Sequence, residues 1–165
     1  MQAALTDGDP ATLAGCLSAM PAFLRRAARA LGPEHARVRP AGGGFALVEH
    51  LRHLADLERE GYGVRIARLL AEQRPFLPDF DGARIARERG YLAADAEAAL
   101  AEFEAARATN LARLAAASPD ELSRQGEQDG VGKIALSDLP RAMAAHDREH
   151  RAEIERLLAE LARGR

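Results

Sequence analysis

Four long segments of this chain repeat apolar residues at three- and four-residue intervals, between residues that start or stop helices. The first segment opens with an N-cap and a proline, Asp9-Pro10, and closes at Gly32-Pro33. Its apolar positions are Leu13, Leu17, Met20, Leu24 and Ala28. This spacing is typical of an amphipathic helix. We therefore predict a helix over about residues 10–31, kinked or broken near Pro21.

Three further long helices are predicted in the same way, over about residues 45–72, 94–117 and 138–162. Ser137 is the expected N-cap of the last one. A capping box that begins at Ser118 predicts a short helical turn, and a loop is expected over 126–132. Gly61 and Gly63 lie inside the second helix, where they either allow close helix contact or mark a bend.

The connection over residues 73–93, with a short helix expected over 83–89, is long enough to set the topology. About twenty extended residues can span ~60 Å, which exceeds the ~40 Å length of a helix of about 27 residues. The chain can therefore cross the bundle and start the third helix parallel to the second.

Composition favours an all-α fold. The chain has 37 alanines but four valines, four isoleucines and three threonines, whereas strands favour β-branched and aromatic residues. The length of 165 residues suits one domain. We therefore predict a single helical-bundle domain over residues 1–165, built from four long helices.

Charge and cysteine content argue against several classes of protein. The 23 basic and 25 acidic residues give a formal net charge of −2, without the basic excess of a nucleic-acid binder. A single cysteine, Cys16, cannot form an intramolecular disulfide. The first residues lack the pattern of a signal peptide, and no apolar run approaches the ~20 residues of a membrane span. We expect a soluble cytoplasmic protein with neither nucleic-acid nor membrane partners.

Two histidines lie inside the apolar face of the fourth helix. His146 and His150 are four residues apart, so both imidazoles point the same way. On a helical wheel they fall among Leu139, Met143, Ile154, Leu157 and Leu161. Each ring has two nitrogens that need partners in a dry environment, and a shared divalent cation satisfies one nitrogen of each. The alternative is a structural pair that is hydrogen-bonded to backbone or carboxylate groups.

A third metal ligand can come from the second helix, which carries His50 and His53. The apolar face of that helix lies nearer His50, while His53 is at its edge. Periodicity thus slightly favours His50 as the inward residue and does not decide between the two. Three histidine ligands leave open positions for water and substrate.

An arginine interrupts the apolar stripe of the third helix. Arg107 lies at the centre of the stripe formed by Leu100, Phe103, Leu111 and Leu114. A guanidinium that faces a core must be paired. Arg107 is therefore predicted either to pair with a glutamate of the bundle or to line the pocket and hold a substrate carboxylate.

Three motifs occur in order along the second, third and fourth helices: His53-Leu54-Ala55-Asp56-Leu57-Glu58, Leu100 to Leu114 with its central Arg107, and His146-Asp147-Arg148-Glu149-His150. Together they resemble the DinB/YfiT-like superfamily, over most of the chain up to residue 162. The resemblance implies an up-down-down-up four-helix bundle that holds a divalent metal. It also assigns His53, His146 and His150 as the ligands, so the choice of His53 over His50 comes from the resemblance.

The resemblance further implies an activity and partners. The superfamily includes S-transferases that use mycothiol or bacillithiol, a mycothiol-dependent maleylpyruvate isomerase, and proteins described as metal-dependent hydrolases. Many members are homodimers. The implied function is a metal-dependent transferase or hydrolase that acts on a small molecule, with nickel or zinc as the ion and, for a transferase, a low-molecular-weight thiol as co-substrate. Asp56 or Glu153 would orient a ligand or take a proton, and Arg107 would hold an anionic group.

Two positions depart from the family's pattern. The Trp-Ser that commonly opens the second helix is replaced by Gly44-Phe45-Ala46, which leaves no side-chain N-cap. The glutamine often found three residues after the last ligand is replaced by Glu153, which can orient a ligand histidine or join the coordination sphere. The alternative to an enzyme is a non-catalytic dimeric bundle that binds a metal or a small ligand.

Overall fold

Helices make up most of residues 10–163, the part of the chain that the computed structural model describes. The elements in chain order are α1 (Pro10–His35), α2 (Leu47–Asp56), a π-helical segment (Leu57–Tyr62), α3 (Gly63–Ala71), β1 (Phe76–Leu77), α4 (Gly82–Arg89), a 3-10 turn (Tyr91–Ala93), α5 (Ala96–Ala116), α6 (Pro119–Leu122), β2 (Gln125–Gln128), β3 (Gly132–Ala135), a second 3-10 turn (Leu136–Asp138) and α7 (Leu139–Arg163). The second long helix consists of α2, the π segment and α3 without interruption.

The four predicted long helices are present, but the irregularity in the first was predicted at the wrong residue. Pro21 lies within α1 and keeps helical dihedral angles, whereas Gly32 departs from them with φ 70° and ψ 170°. Proline already has the φ value of a helix, while glycine alone adopts a positive φ without a steric cost. No break occurs at Pro21, and the break at Gly32 lies where the first helix was predicted to end.

The loop predicted over residues 126–132 is largely a β-hairpin. Strands β2 and β3 pair antiparallel, and β1 pairs parallel with β2 to give a three-stranded sheet. Gly130, with a φ value of 72°, lies in the turn, and Gly132, with a φ value of 98°, begins β3 directly after it. Ser137 also differs from its predicted role, because it lies inside the second 3-10 turn. There Asp138 accepts a hydrogen bond from the backbone N–H of Ala135 at 2.8 Å.

Contacts between the long helices give their directions. Pairs between the second long helix and α7 run in opposite order: His50–His150 and His53–His146. Pairs between the second long helix and α5 run in the same order: Arg52–Glu102 and Glu58–Asn110. Pairs between α1 and α5 run in opposite order: Leu17–Arg107 and Arg25–Glu104. The long helices therefore run up, down, down, up, as expected.

The core lies between these helices, and the two glycines of the second long helix allow close packing within it. A Cβ at Gly63 would lie 3.0 Å from the carbonyl oxygen of Glu58 and 3.4 Å from Oδ1 of Asn110. A Cβ at Gly61 would lie 2.5 Å from Cδ1 of Leu57. Gly63 therefore allows close packing against Asn110 of α5, whereas Gly61, inside the π segment, leaves room for the side chain of Leu57.

Candidate metal centre

The four histidines of the second and fourth long helices meet inside the bundle. His50 and His53 lie on successive turns of α2, and His146 and His150 lie on successive turns of α7. Because the two helices are antiparallel, His53 faces His146 and His50 faces His150. His50 and His53 are 2% and 8% exposed.

Three ring nitrogens converge at the centre of this group. Nε2 of His146 lies 3.1 Å from Nε2 of His150 and 3.3 Å from Nε2 of His53. Nitrogen donors about 2.1 Å from one ion, at angles of about 90–109°, lie roughly 3.0–3.4 Å apart. The observed separations therefore match those of a three-histidine metal site.

Hydrogen bonding satisfies these nitrogens poorly, because one N–H would have to be shared between two acceptors. Nε2 of His146 has either one hydrogen or one in-plane lone pair, yet it faces two other ring nitrogens. Burial lowers the pKa of His53 and of His146 to about 4, and burial together with the neighbouring histidines lowers the pKa of His150 to about 2. All three rings are therefore neutral at neutral pH, the form in which imidazole binds a metal. One cation that accepts three lone pairs would satisfy all of them.

His50 and Glu153 lie on the other side of the His150 ring. Nδ1 of His50 is 2.8 Å from Nδ1 of His150, and Oε2 of Glu153 is 3.5 Å from the same atom. Because Nδ1 and Nε2 point away from each other across the ring, these two residues contact the nitrogen that does not face His53 and His146. His50 is the more buried of the α2 pair, as periodicity suggested, but it contacts His150 from behind and does not join the three Nε2 atoms.

The ring of His53 is positioned by packing. Its Nδ1 is buried without a hydrogen-bond partner among residues 10–163. The rings of Phe45 and Phe80 lie 5.8 Å and 6.0 Å from it, and a Cβ at Gly82 would come within 2.4 Å of its Cε1. Gly82 begins α4 in the crossover, so the crossover packs against this ring only because that residue has no side chain.

Asp56 lies in a separate cluster of ions. It is 1% exposed and accepts hydrogen bonds from the hydroxyl of Tyr91 and from Arg89, both at 2.7 Å. Arg52 and Arg59 also pair with it. Its carboxylate hydrogen-bonds to no histidine among the residues described, so a role for Asp56 in orienting a ligand or accepting a proton stays a prediction.

Arg107 is bound by buried carboxylates, as one of the two alternatives predicted. It donates to both oxygens of Asp147, at 2.7 Å and 2.9 Å, and to Oε2 of Glu58 at 3.0 Å. It also donates to the carbonyl oxygen of Leu17 at 3.1 Å. A substrate anion would have to displace these partners, so the anion-holding role of Arg107 stays a prediction. The sequence did not reveal that Asp147, one residue after His146, is its bidentate partner.

The model of the DinB superfamily matches residues 17–154. The chain belongs to the DinB superfamily. The matched range contains all six residues that the sequence pointed to as site residues: His53, Asp56, Arg107, His146, His150 and Glu153.

One similar solved structure agrees with this assignment of the DinB chain. Its description reads "YfiT from Bacillus subtilis is a probable metal-dependent hydrolase with an unusual four-helix bundle topology". The identity is 19%, the match covers 98% of this chain and 93% of that one, and the TM-score is 0.84. At that identity the likeness establishes the fold. No curated protein matches the chain. Within residues 10–163, each helix of this DinB protein is too short or too polar to cross a bilayer.

Proposed function

We propose that a divalent ion binds His53, His146 and His150, and that the protein is a metal-dependent enzyme acting on a small molecule. The proposal is carried by the convergence of three neutral Nε2 atoms. That of His146 lies 3.1 Å from that of His150 and 3.3 Å from that of His53. Imidazole donors suit nickel and zinc, so these two ions are the first to test.

An open coordination sphere favours catalysis over a structural role. Among the described residues, no fourth histidine, cysteine, aspartate or glutamate joins the three histidines within reach of one ion. A structural site is normally closed by four protein ligands, whereas a reactive site leaves positions for water or substrate. The non-catalytic alternative requires a closed site, and the three-histidine arrangement argues against it.

The ion, when bound, would lower the pKa of a coordinated water or thiol and polarise a substrate carbonyl. The side chains of the protein orient its ligands. With Nε2 of His150 on the ion, its Nδ1 would carry the hydrogen and donate to Nδ1 of His50, which lies 2.8 Å away and would hold the His150 ring in this orientation. Glu153 is the carboxylate nearest this pair, and its Oε2 is the atom placed to accept a proton from it.

Hydrolysis is the first reaction we propose, in line with the description of YfiT. A second candidate, transfer of a low-molecular-weight thiol, is favoured by the surroundings of the ligands. The rings of Phe45, Phe80 and Tyr62 contact the histidines. The nearby buried carboxylates, those of Asp56, Glu58 and Asp147, are bound by arginines. These paired carboxylates are poorly placed to act as general bases. A thiol that binds as the thiolate is already deprotonated and needs no general base to attack an electrophile.

The test is a turnover screen of protein loaded with nickel or zinc. Esters and amides are offered with water alone, and alkylating electrophiles are offered with several low-molecular-weight thiols. We expect His146→Ala to abolish any turnover, whereas His35→Ala, which removes a histidine at the end of α1, leaves it intact. Turnover that survives His146→Ala would show that the reaction occurs elsewhere. The homodimer implied by the resemblance is checked separately by analytical ultracentrifugation.

A further inference from the structure

A second buried arginine, unlike Arg107, has no carboxylate bound to it. Arg65 on α3 is 6% exposed, and its Nε is buried without a hydrogen-bond partner among residues 10–163. Its guanidinium carbon lies 5.6 Å from the ring centre of Tyr62. Burial lowers the pKa of Arg65, although the field of the exposed Asp79 acts in the opposite direction. A buried cation without a counter-ion is unfavourable, so this site is suited to an anion from outside the chain.

The amino nitrogens of Arg65 are available for such an anion. They form no hydrogen bond within the described part of the chain, and, unlike Nε, they are not shut off from solvent. The hydroxyl of Tyr62 is likewise without a hydrogen-bond partner there. The guanidinium lies 5.6 Å from the centre of the Tyr62 ring, and both the guanidinium fork and the tyrosine hydroxyl can donate to a carboxylate.

Tyr62 connects this arginine to the proposed metal ligands. The centre of the Tyr62 ring lies 6.5 Å from the centre of the His146 ring and 5.6 Å from the guanidinium carbon of Arg65. The π segment contributes to this placement. In a regular α-helix, the twelve residues from His53 to Arg65 would place these two side chains about 120° apart around the helix axis. A π turn accommodates one extra residue, which reduces this angle to about 20°.

We propose that Arg65, together with the hydroxyl of Tyr62, binds a carboxylate on the small molecule that reacts at the three-histidine site. The reaction of this molecule at the three histidines rests on the proposed function. The binding of its carboxylate by Arg65 does not. A single guanidinium matches a single negative charge, and Asp79 disfavours a dianion. The substrate or the co-substrate is therefore a monocarboxylate, not a phosphate ester.

The first experiment uses metal-free protein, so that it does not depend on the proposed ion. Butyrate, and inorganic phosphate for comparison, are titrated while the Nε–H resonance of Arg65 is followed by NMR. We expect butyrate to shift this resonance, Asp79→Asn to tighten butyrate binding, and phosphate to bind more weakly. A resonance that butyrate does not move would overturn the inference, whatever the metal does. Tighter binding of phosphate would overturn the assignment to a monocarboxylate.

The second experiment uses cobalt-loaded protein, whose thiolate absorption band reports ligation. ω-Mercaptocarboxylates of increasing length are compared with 2-mercaptoethanol, which lacks the carboxylate. We expect the best-fitting mercaptocarboxylate to bind roughly 10- to 100-fold more tightly, the range for hydrogen bonds to a charged group. Arg65→Gln should remove that advantage. Arg68→Gln, on the same helix but ion-paired with Glu72 at the surface, should keep it.

The two experiments separate the two proposals. If cobalt gives no thiolate band while butyrate still shifts the Arg65 resonance, the metal site fails and the anion site stands. If the band forms but the mercaptocarboxylates bind no better than 2-mercaptoethanol, the role of Arg65 in substrate binding is wrong. Arg65→Gln is expected to fold, because it removes a buried charge without leaving a partner unpaired. Its thermal unfolding verifies this before either titration.

Discussion

Replacing Arg107 by methionine tests whether its buried ion cluster supports the bundle. The side chains of Arg107, Glu58 and Asp147 are 3%, 2% and 9% exposed. Arg107→Met would leave two carboxylates inside the protein without their cation. Breaking a buried ion pair by removing one partner costs about 3–5 kcal/mol. We expect the free energy of unfolding, measured with urea on metal-free protein, to fall by that amount.

The loss should also depend on pH. Burial raises the pKa of Glu58 even with Arg107 beside it, and Arg107 is the main group that opposes this rise. In Arg107→Met the pKa of Glu58 rises further above its unfolded value, so the protonated form is favoured in the folded state. Protonation of Glu58 therefore stabilises the folded variant at low pH. This contribution is lost as the pH rises through the folded-state pKa of Glu58. The variant should therefore be more destabilised, relative to wild type, in mildly alkaline buffer than in acidic buffer.

A surface arginine provides the control. Arg25 is 51% exposed and pairs with Glu104, so Arg25→Met should cost no more than about 1 kcal/mol. If Arg107→Met costs no more than Arg25→Met, or if the cost does not change with pH, the buried cluster does not contribute as we argue. Arg65→Met makes the opposite prediction, because an unpaired cation is removed: stability should stay the same or increase.

Three predictions concern the proposed metal site. Gly82→Ala should weaken zinc binding roughly 10- to 100-fold, because its Cβ would lie 2.4 Å from Cε1 of His53. Competition with a chromogenic chelator measures the zinc affinity. An unchanged affinity would contradict this prediction. His50→Leu, which removes the partner of Nδ1 of His150, should weaken binding by a similar factor in the same assay. Zinc at 100 times its dissociation constant should raise the free energy of unfolding by about 2.7 kcal/mol, but not in His146→Ala.

Much of the fold could be predicted because helix signals are local. Caps, prolines and apolar spacing predicted the four long helices. The length of the connection over residues 73–93 indicated that the second and third long helices could run parallel. The hairpin could not be predicted in this way. Strand β2, Gln125–Gln128, has no β-branched or aromatic residue, and its pairing with β1 and β3 depends on contacts with other segments.

The candidate site was partly predictable for the same reason. The spacing of His146 and His150 put both on one helix face, but a helical wheel could not show that His50 would meet Nδ1 of His150 while His53 would meet the Nε2 atoms. Periodicity likewise placed Arg107 in the core without naming Asp147 as its partner. Arg65 follows a π segment, where a regular wheel gives the wrong face.

The most direct test is to identify the ligands of a bound ion. Elemental analysis and X-ray absorption on untagged, zinc-loaded protein should give one ion per chain with three imidazole nitrogens about 2.1 Å away. His53→Ala should lose the ion, whereas His50→Ala should retain it with reduced affinity. An ion that survives His53→Ala but not His50→Ala would assign the site to His50, His150 and Glu153, and would contradict the arrangement proposed here.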